Sequence, residues 1–266
     1  MSSTASVLSS SPSNTTASAE QRGRFFLVMS GVLLTVVLIG FAHTLYLRAL
    51  FDVPPIPAYL YFHGTVLTSW FVWLFLQSAF IGAGRTHTHR RLGVAALILG
   101  PLIVIGGLTA TLNLAAHHVA GHDWNADAAV LGIGVTGMSI AEFIAPLMWA
   151  NFASLVAFVA LLAAALLLRR RPQAHKRLML LASLGILGPA VERISEWPVF
   201  LSGQVPFVPL VMTVLLLAIV AYDLYSTRRV HPATIIGGAV CVLTGLGGSM
   251  IGGTAFGQSL AIRILG

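Results

Sequence analysis

Long apolar segments alternate with short polar ones along almost the whole chain. Most of these segments contain at least 19 residues, which is enough for a helix rising about 1.5 Å per residue to cross about 30 Å of hydrocarbon. The pattern predicts an all-α fold, a polytopic membrane bundle of seven transmembrane helices. The seven apolar runs cover residues 25–47, 59–83, 92–116, 142–168, 178–194, 207–225 and 233–252.

The remaining segments differ in character from these runs. Residues 1–21 are rich in Ser, Thr, Ala and Asn without apolar periodicity, which predicts a disordered tail ahead of a single transmembrane domain over 22–266. The run at 178–194 is short and needs help from its ends or from local thinning of the bilayer. Residues 128–141 are apolar but too short to cross, so they are either interfacial or re-entrant.

Basic residues gather on one side of this predicted bundle. With a cytoplasmic N-terminus, twelve of the fifteen Lys and Arg residues lie inside, as the positive-inside rule requires. The C-terminus is then outside, and the predicted location is the inner (plasma) membrane. The twelve residues are Arg22, Arg24, Arg85, Arg90, Arg91, Arg169, Arg170, Arg171, Lys176, Arg177, Arg228 and Arg229.

Composition narrows the function classes. A hydrophobic content of 57%, a mean hydropathy of +0.89 and 9% charged residues exclude an ordinary soluble domain. The net charge of +7 would fit a nucleic-acid partner, but the charges lie in short loops beside apolar helices, where they meet lipid headgroups. The predicted partner is therefore the lipid bilayer and not nucleic acid.

Polar side chains within the apolar runs fall at two depths. His43 and His63 lie toward the outer surface, and Gln77, His89 and His175 lie toward the inner surface. On the second helix His63, Trp70 and Gln77 are seven residues apart, so they share one face within about 40°. Because polar groups are costly in lipid, each of them is a candidate for function.

Paired imidazoles from different helices at two depths are typical of sites that hold two b-type haems. The pattern predicts that His43 pairs with His63 outside and that His89 pairs with His175 inside. Arg48 and Arg193 are the outer cations available to haem propionates. This hypothesis predicts electron transfer, with a quinone or another redox partner. The alternative for each histidine is a structural role, capping a helix end or contacting a headgroup.

Other residues support different hypotheses. In the predicted outer loop His118, His122 and Asp123 combine imidazoles at i, i+4 spacing with a carboxylate, which predicts a Zn, Cu or Ni site. That loop and the proline-kinked helices favour a small-solute or metal-ion carrier. The stripe Thr244, Gly248 and Gly252 predicts close helix packing, either inside the bundle or across a dimer. The dimer interpretation fits a structural or accessory subunit of a membrane complex.

Several short motifs resemble those of a known group of proteins. Tyr61-Phe62-His63-Gly64, His89-Arg90-Arg91-Leu92-Gly93 and His175-Lys176-Arg177-Leu178-Met179 are similar to motifs of uncharacterised bacterial multi-pass membrane proteins. The resemblance covers about residues 25–225 and implies a membrane fold without naming an activity. The paired histidines are more distantly similar to di-haem transmembrane cytochromes b, although the helix order and the spacing of His within a helix differ.

Overall fold

The computed structural model describes residues 13–50, 56–119, 140–195 and 207–265, and every regular element in these ranges is helical. A π-helical turn, Ala42–Tyr46, and a short 3-10 turn, Arg48–Leu50, follow the first helix. The prediction of an all-α fold is confirmed. The α-helices are α1 Ser13–Phe41, α2 Ala58–Gly82, α3 Thr86–Gly93, α4 Ala96–Val119, α5 Ile140–Leu167, α6 Pro172–Gly185, α7 Gly188–Ser195, α8 Phe207–Thr227, α9 Pro232–Gly252 and α10 Ala255–Leu265.

Six spans in the described ranges are long and apolar enough to cross a membrane: 24–46, 58–82, 96–113, 141–167, 207–227 and 232–252. The successive helices α6 and α7 form a seventh if they are taken as one span bent by 45°. The chain is thus a polytopic membrane helix bundle, with spans at the places that the hydropathy pattern predicts. Its orientation and the particular membrane stay predictions.

The first helix starts earlier than its apolar span. It begins at Ser13, within the stretch predicted as a tail, whereas the apolar part begins at Arg24. Residues 13–22 contain neither Pro nor Gly and include Ala, Glu and Gln, which favour helix. The predicted disorder of residues 1–12 lies outside the described residues, as do the predicted interfacial or re-entrant residues 128–139.

The short predicted run at 178–194 corresponds to the bent pair α6 and α7. The break falls at Ile186 and Leu187, and α7 starts with Gly188 and Pro189. A proline is tolerated at the start of a helix, where its missing N–H would have no intrahelical partner, but not in the interior. The second half of the bent pair packs closely on α1, since a Cβ at Gly40 of α1 would lie 2.3 Å from the carbonyl oxygen of Ala190.

The helix α9 packs along α5 through glycines. A Cβ added to Gly248 would lie 2.7 Å from the Trp149 carbonyl oxygen, and one added to Gly252 would lie 2.4 Å from Cα of Pro146. Both glycines are buried, and Thr244 donates a hydrogen bond to the Val240 carbonyl at 2.7 Å. The glycines of the stripe therefore serve packing inside the bundle, the first of the two interpretations offered by the sequence.

We expect Gly252→Ala to destabilise the bundle by about 1–3 kcal/mol, because its methyl group must push α9 away from the α5 backbone. Gly245→Ala is the matched control: it lies on the same helix, and a Cβ there has no neighbour within 4 Å. The measurement is the temperature at which half of the detergent-extracted protein remains monodisperse. Equal midpoints for the two variants would contradict the packing described here.

Basic and aromatic side chains bring four helix termini together at one end of the bundle. Phe25 stacks on Tyr222 with ring centroids 4.1 Å apart, and Phe26 meets Tyr222 edge-on at 5.2 Å. Lys176 Nζ lies 4.3 Å from the Phe26 ring centroid. The apolar start of α1 thus meets the start of α6 and the end of α8, and Thr234 at the start of α9 donates to Asp223 of α8. This end, which also carries α3, is called the basic end below.

Candidate functional site

Two histidines that are distant in sequence meet at the basic end. His89 lies on the short helix α3 and His175 on the first turn of α6. Their ring centroids are 6.4 Å apart and their ring planes are inclined by 80°. Both side chains are half-buried. The structure therefore brings together the inner pair that the sequence predicts.

His175 is oriented by a main-chain acceptor. Its Nδ1 lies 2.8 Å from the carbonyl oxygen of Ala165, near the end of α5. A carbonyl can only accept, so this contact places a proton on Nδ1, and in the neutral imidazole the lone pair is then on Nε2. Histidines that bind metals are commonly held in this way, with the second nitrogen donating to a carbonyl or carboxylate.

The surroundings of His89 favour its neutral form. Burial lowers the pKa of its imidazole, and the nearby guanidinium of Arg90 lowers it further. The main-chain carbonyl of Gln77 acts in the opposite direction. His89 Nδ1 is buried without a hydrogen-bond partner. A neutral imidazole can bind a metal through one ring nitrogen while the other nitrogen carries the proton.

The predicted polar stripe of α2 faces the interior. Gln77 is 5% exposed and lies at the basic end, whereas Trp70 is fully buried midway along the helix. Trp70 donates from Nε1 to Ser183 Oγ at 2.9 Å and packs edge-on against Phe158 with centroids 5.1 Å apart. This packing fills the space between the two ends of the stripe. A carrier with a solute path along this stripe would have to move Trp70.

At the opposite end the predicted outer residues lie near one another. His63 Nδ1 is buried without a partner, beside Gly106 of α4 and within range of the charge of Arg193. His43 lies on the π-helical turn at the end of α1, whose Leu45 packs against Gly64. These contacts place His43 and His63 at similar depth. The pairing of their rings stays a prediction.

The two outer arginines have partners within the protein. Arg48 Nη1 donates to the hydroxyl of Tyr61 at 2.9 Å. The guanidinium of Arg193 lies 5.4 Å from the ring centroid of Phe41. Binding of haem propionates by these arginines stays a prediction.

A buried ion pair that the sequence pattern did not predict lies at the basic end. Arg177, which the charge pattern placed in an inner loop, is 1% exposed and donates from Nε to Oδ1 of the fully buried Asp223 at 2.8 Å. Asp223 Oδ2 accepts from Thr234 Oγ1 at 2.6 Å and from the His231 main-chain N–H at 3.0 Å. Such a satisfied network explains the intramembrane carboxylate as a structural group. Its signal in the sequence was Asp223 itself, a carboxylate inside the apolar run 207–225 that requires a partner.

His231 completes this network. Its Nδ1 accepts from the Ala233 N–H at 3.1 Å and so caps the start of α9. Burial lowers the pKa of this imidazole, the charges of Arg177 and Lys176 lower it further, and Asp223 opposes them. The neutral ring that the cap requires is therefore favoured.

The ligands predicted for the outer-loop metal site lie outside the described residues. They are His122, Asp123 and the side chain of His118. Among the side chains that the structure describes, no three His, Cys, Asp or Glu residues come together as a metal-binding group. The metal hypothesis for this loop stays a prediction.

Comparison with known protein families, curated proteins and solved structures finds no match to this chain.

Proposed function

We propose that this integral membrane protein binds a b-type haem between His89 and His175 and transfers single electrons within the membrane. The observation that carries the proposal is the meeting of these two imidazoles, with His175 already held in the tautomer that a metal requires. A haem bound there would supply one-electron redox chemistry. The chain's own residues hold the two imidazoles in place.

The separation of the two rings suits a shared metal. With metal–nitrogen bonds of about 2.0–2.1 Å, two imidazoles bound to one metal would have ring centroids roughly 5–6.3 Å apart, depending on the angle between the bonds. The observed separation of 6.4 Å is close to the upper end of this range. His89 and His175 would each supply one nitrogen ligand to a haem iron bound there.

Charge at the basic end suits the carboxylates of a haem. Arg90 and Arg91 follow His89 directly on α3, and both are exposed. Guanidinium groups bind carboxylates through charge-assisted, frequently bidentate hydrogen bonds. These two arginines are the proposed partners of the propionates, and a membrane-soluble quinone is the proposed class of redox partner.

An optical spectrum of the detergent-extracted wild-type protein, expressed with haem supply, tests this proposal. We expect a Soret band and a reduced-minus-oxidised difference spectrum of a six-coordinate b-type haem, at one haem per chain. A second haem at the opposite end would raise the haem content to two per chain, and His63→Ala would then return the haem content to one per chain. A purified wild-type protein without Soret absorption would refute the haem proposal.

A further inference from the structure

The carboxamide of Gln77 is buried with none of its hydrogen-bonding capacity used. The side chain is 5% exposed, and neither Oε1 nor Nε2 has a hydrogen-bond partner. Leaving a buried polar group unpaired is destabilising, because the group gives up its hydrogen bonds to water and gains none in the protein. Among native proteins such groups are few, and each requires a specific explanation.

This carboxamide lies at the contact between α2 and α3, beside the histidine pair. Trp73 Nε1 donates to the Leu92 carbonyl at 3.1 Å and fixes the end of α3 against α2. A Cβ at Gly93 would lie 4.0 Å from Gln77 Oε1. His89 is one turn before Gly93 on the same helix, and its Nδ1 is also buried and unpaired. An unused acceptor and an unused ring nitrogen therefore share one small region.

If His89 bound a metal, its second ring nitrogen would require a hydrogen-bond acceptor, and the carboxamide of Gln77 can supply one. When Nε2 of a neutral imidazole binds a metal, Nδ1 carries the proton and requires an acceptor. The Ala165 carbonyl is that acceptor for His175. For His89 we propose that Gln77 is the positioning residue, whose Oε1 accepts the Nδ1 proton and holds the ring toward the metal. This inference rests on the haem proposal above and assigns a role to a residue that does not touch the iron.

The role of Gln77 has a measurable electronic consequence. An acceptor on the distal nitrogen makes the imidazole a stronger donor to the metal. A stronger donor stabilises ferric over ferrous haem and lowers the reduction potential. Removal of the acceptor raises the potential, and replacement by a carboxylate lowers it. If Gln77 only filled space, an apolar replacement and a carboxylate replacement would not shift the reduction potential in opposite directions.

The test is a redox titration of haem absorbance in wild type, Gln77→Leu and Gln77→Glu. We expect Gln77→Leu to shift the potential upward and Gln77→Glu to shift it downward, by 59 mV for each tenfold change in ferric preference. We also expect haem retention by Gln77→Leu to fall about 10–100-fold, as when other second partners of metal-bound histidines are lost. Gln258→Leu, in α10, is the matched control and should leave both quantities unchanged.

The outcomes separate the two proposals. Absence of haem from wild type would refute haem binding and this inference with it. Haem in wild type with unchanged potentials in both Gln77 variants, or with shifts in the same direction, would overturn only the role of Gln77. If Gln77→Leu does not accumulate, Gln77→Glu preserves the side-chain shape, and an unchanged potential in that variant overturns the role.

Discussion

Replacing His175 with alanine is expected to remove the haem from the basic end and to lower the Soret absorbance per chain accordingly. The substitution deletes one of the two imidazoles that meet at 6.4 Å and leaves the Ala165 carbonyl without its donor. Loss of a ligand should cost more than the about 10–100-fold in affinity that loss of a second partner typically costs. The measurement is the ratio of haem to protein after purification from haem-supplied cells. His89→Ala should have the same effect.

His87→Ala is the matched control for these variants. His87 lies on the same short helix as His89, two residues earlier, and its side chain is exposed. We expect it to keep the full haem content and spectrum. Added imidazole should restore a six-coordinate spectrum to His175→Ala if the fold is intact, which separates loss of a ligand from loss of structure. Full haem retention in both His89→Ala and His175→Ala would show that the ligands lie elsewhere.

Breaking the buried ion pair is expected to give the largest loss of stability. Arg177→Leu leaves the carboxylate of Asp223 buried without its cation, although Thr234 Oγ1 and the His231 N–H still donate to it. Removing one partner of a buried ion pair costs about 3–5 kcal/mol in free energy of unfolding. The measurement is chemical unfolding of the detergent-extracted protein, or its survival as a monodisperse species after heating.

Two further variants show whether the pair itself is responsible. The double variant Arg177→Leu/Asp223→Leu removes both charges, and we expect it to be more stable than either single variant, since apolar replacement of a whole buried pair is often close to neutral. Arg91→Leu is the control. Arg91 occupies the position of Arg177 in the similar His-basic-basic-Leu motif, but it is exposed, so we expect a change within about 0.5 kcal/mol. A double variant as unstable as Arg177→Leu would contradict this account.

These two arginines show that a local sequence motif does not determine whether its charged residue is buried. Arg91 and Arg177 follow matching histidines by two residues, and the motifs look alike. In the folded chain one is exposed and the other is 1% exposed, because Asp223 from α8 meets only Arg177. The burial of a charge depends on a partner from a distant segment, which a motif of four residues does not contain.

The backbone geometry of the bent pair α6 and α7 also depends on contacts with segments that are distant in sequence. Gly188 and Pro189 mark a break in the sequence, and the shortness of the apolar run at 178–194 indicated an unusual span. The angle of 45° depends on close packing, including the contact of Gly40 with Ala190. Likewise α10, Ala255–Leu265, follows the last predicted span and packs on α5, where Trp149 Nε1 donates to the Gly257 carbonyl at 3.0 Å.

The amino-acid sequence by itself determined that this chain is a polytopic helix bundle, where its spans lie and which face of α2 carries polar groups. Those properties depend on apolar length and helical periodicity, which neighbouring residues define. The sequence also predicted the pairing of His89 with His175 from their similar depth, but only the tertiary structure decided the 6.4 Å separation of their rings. Only the tertiary structure decided that Gln77 lies beside them without a partner and that Arg177 pairs with Asp223. These are contacts between separate helices, and their geometry depends on how the helices pack against one another.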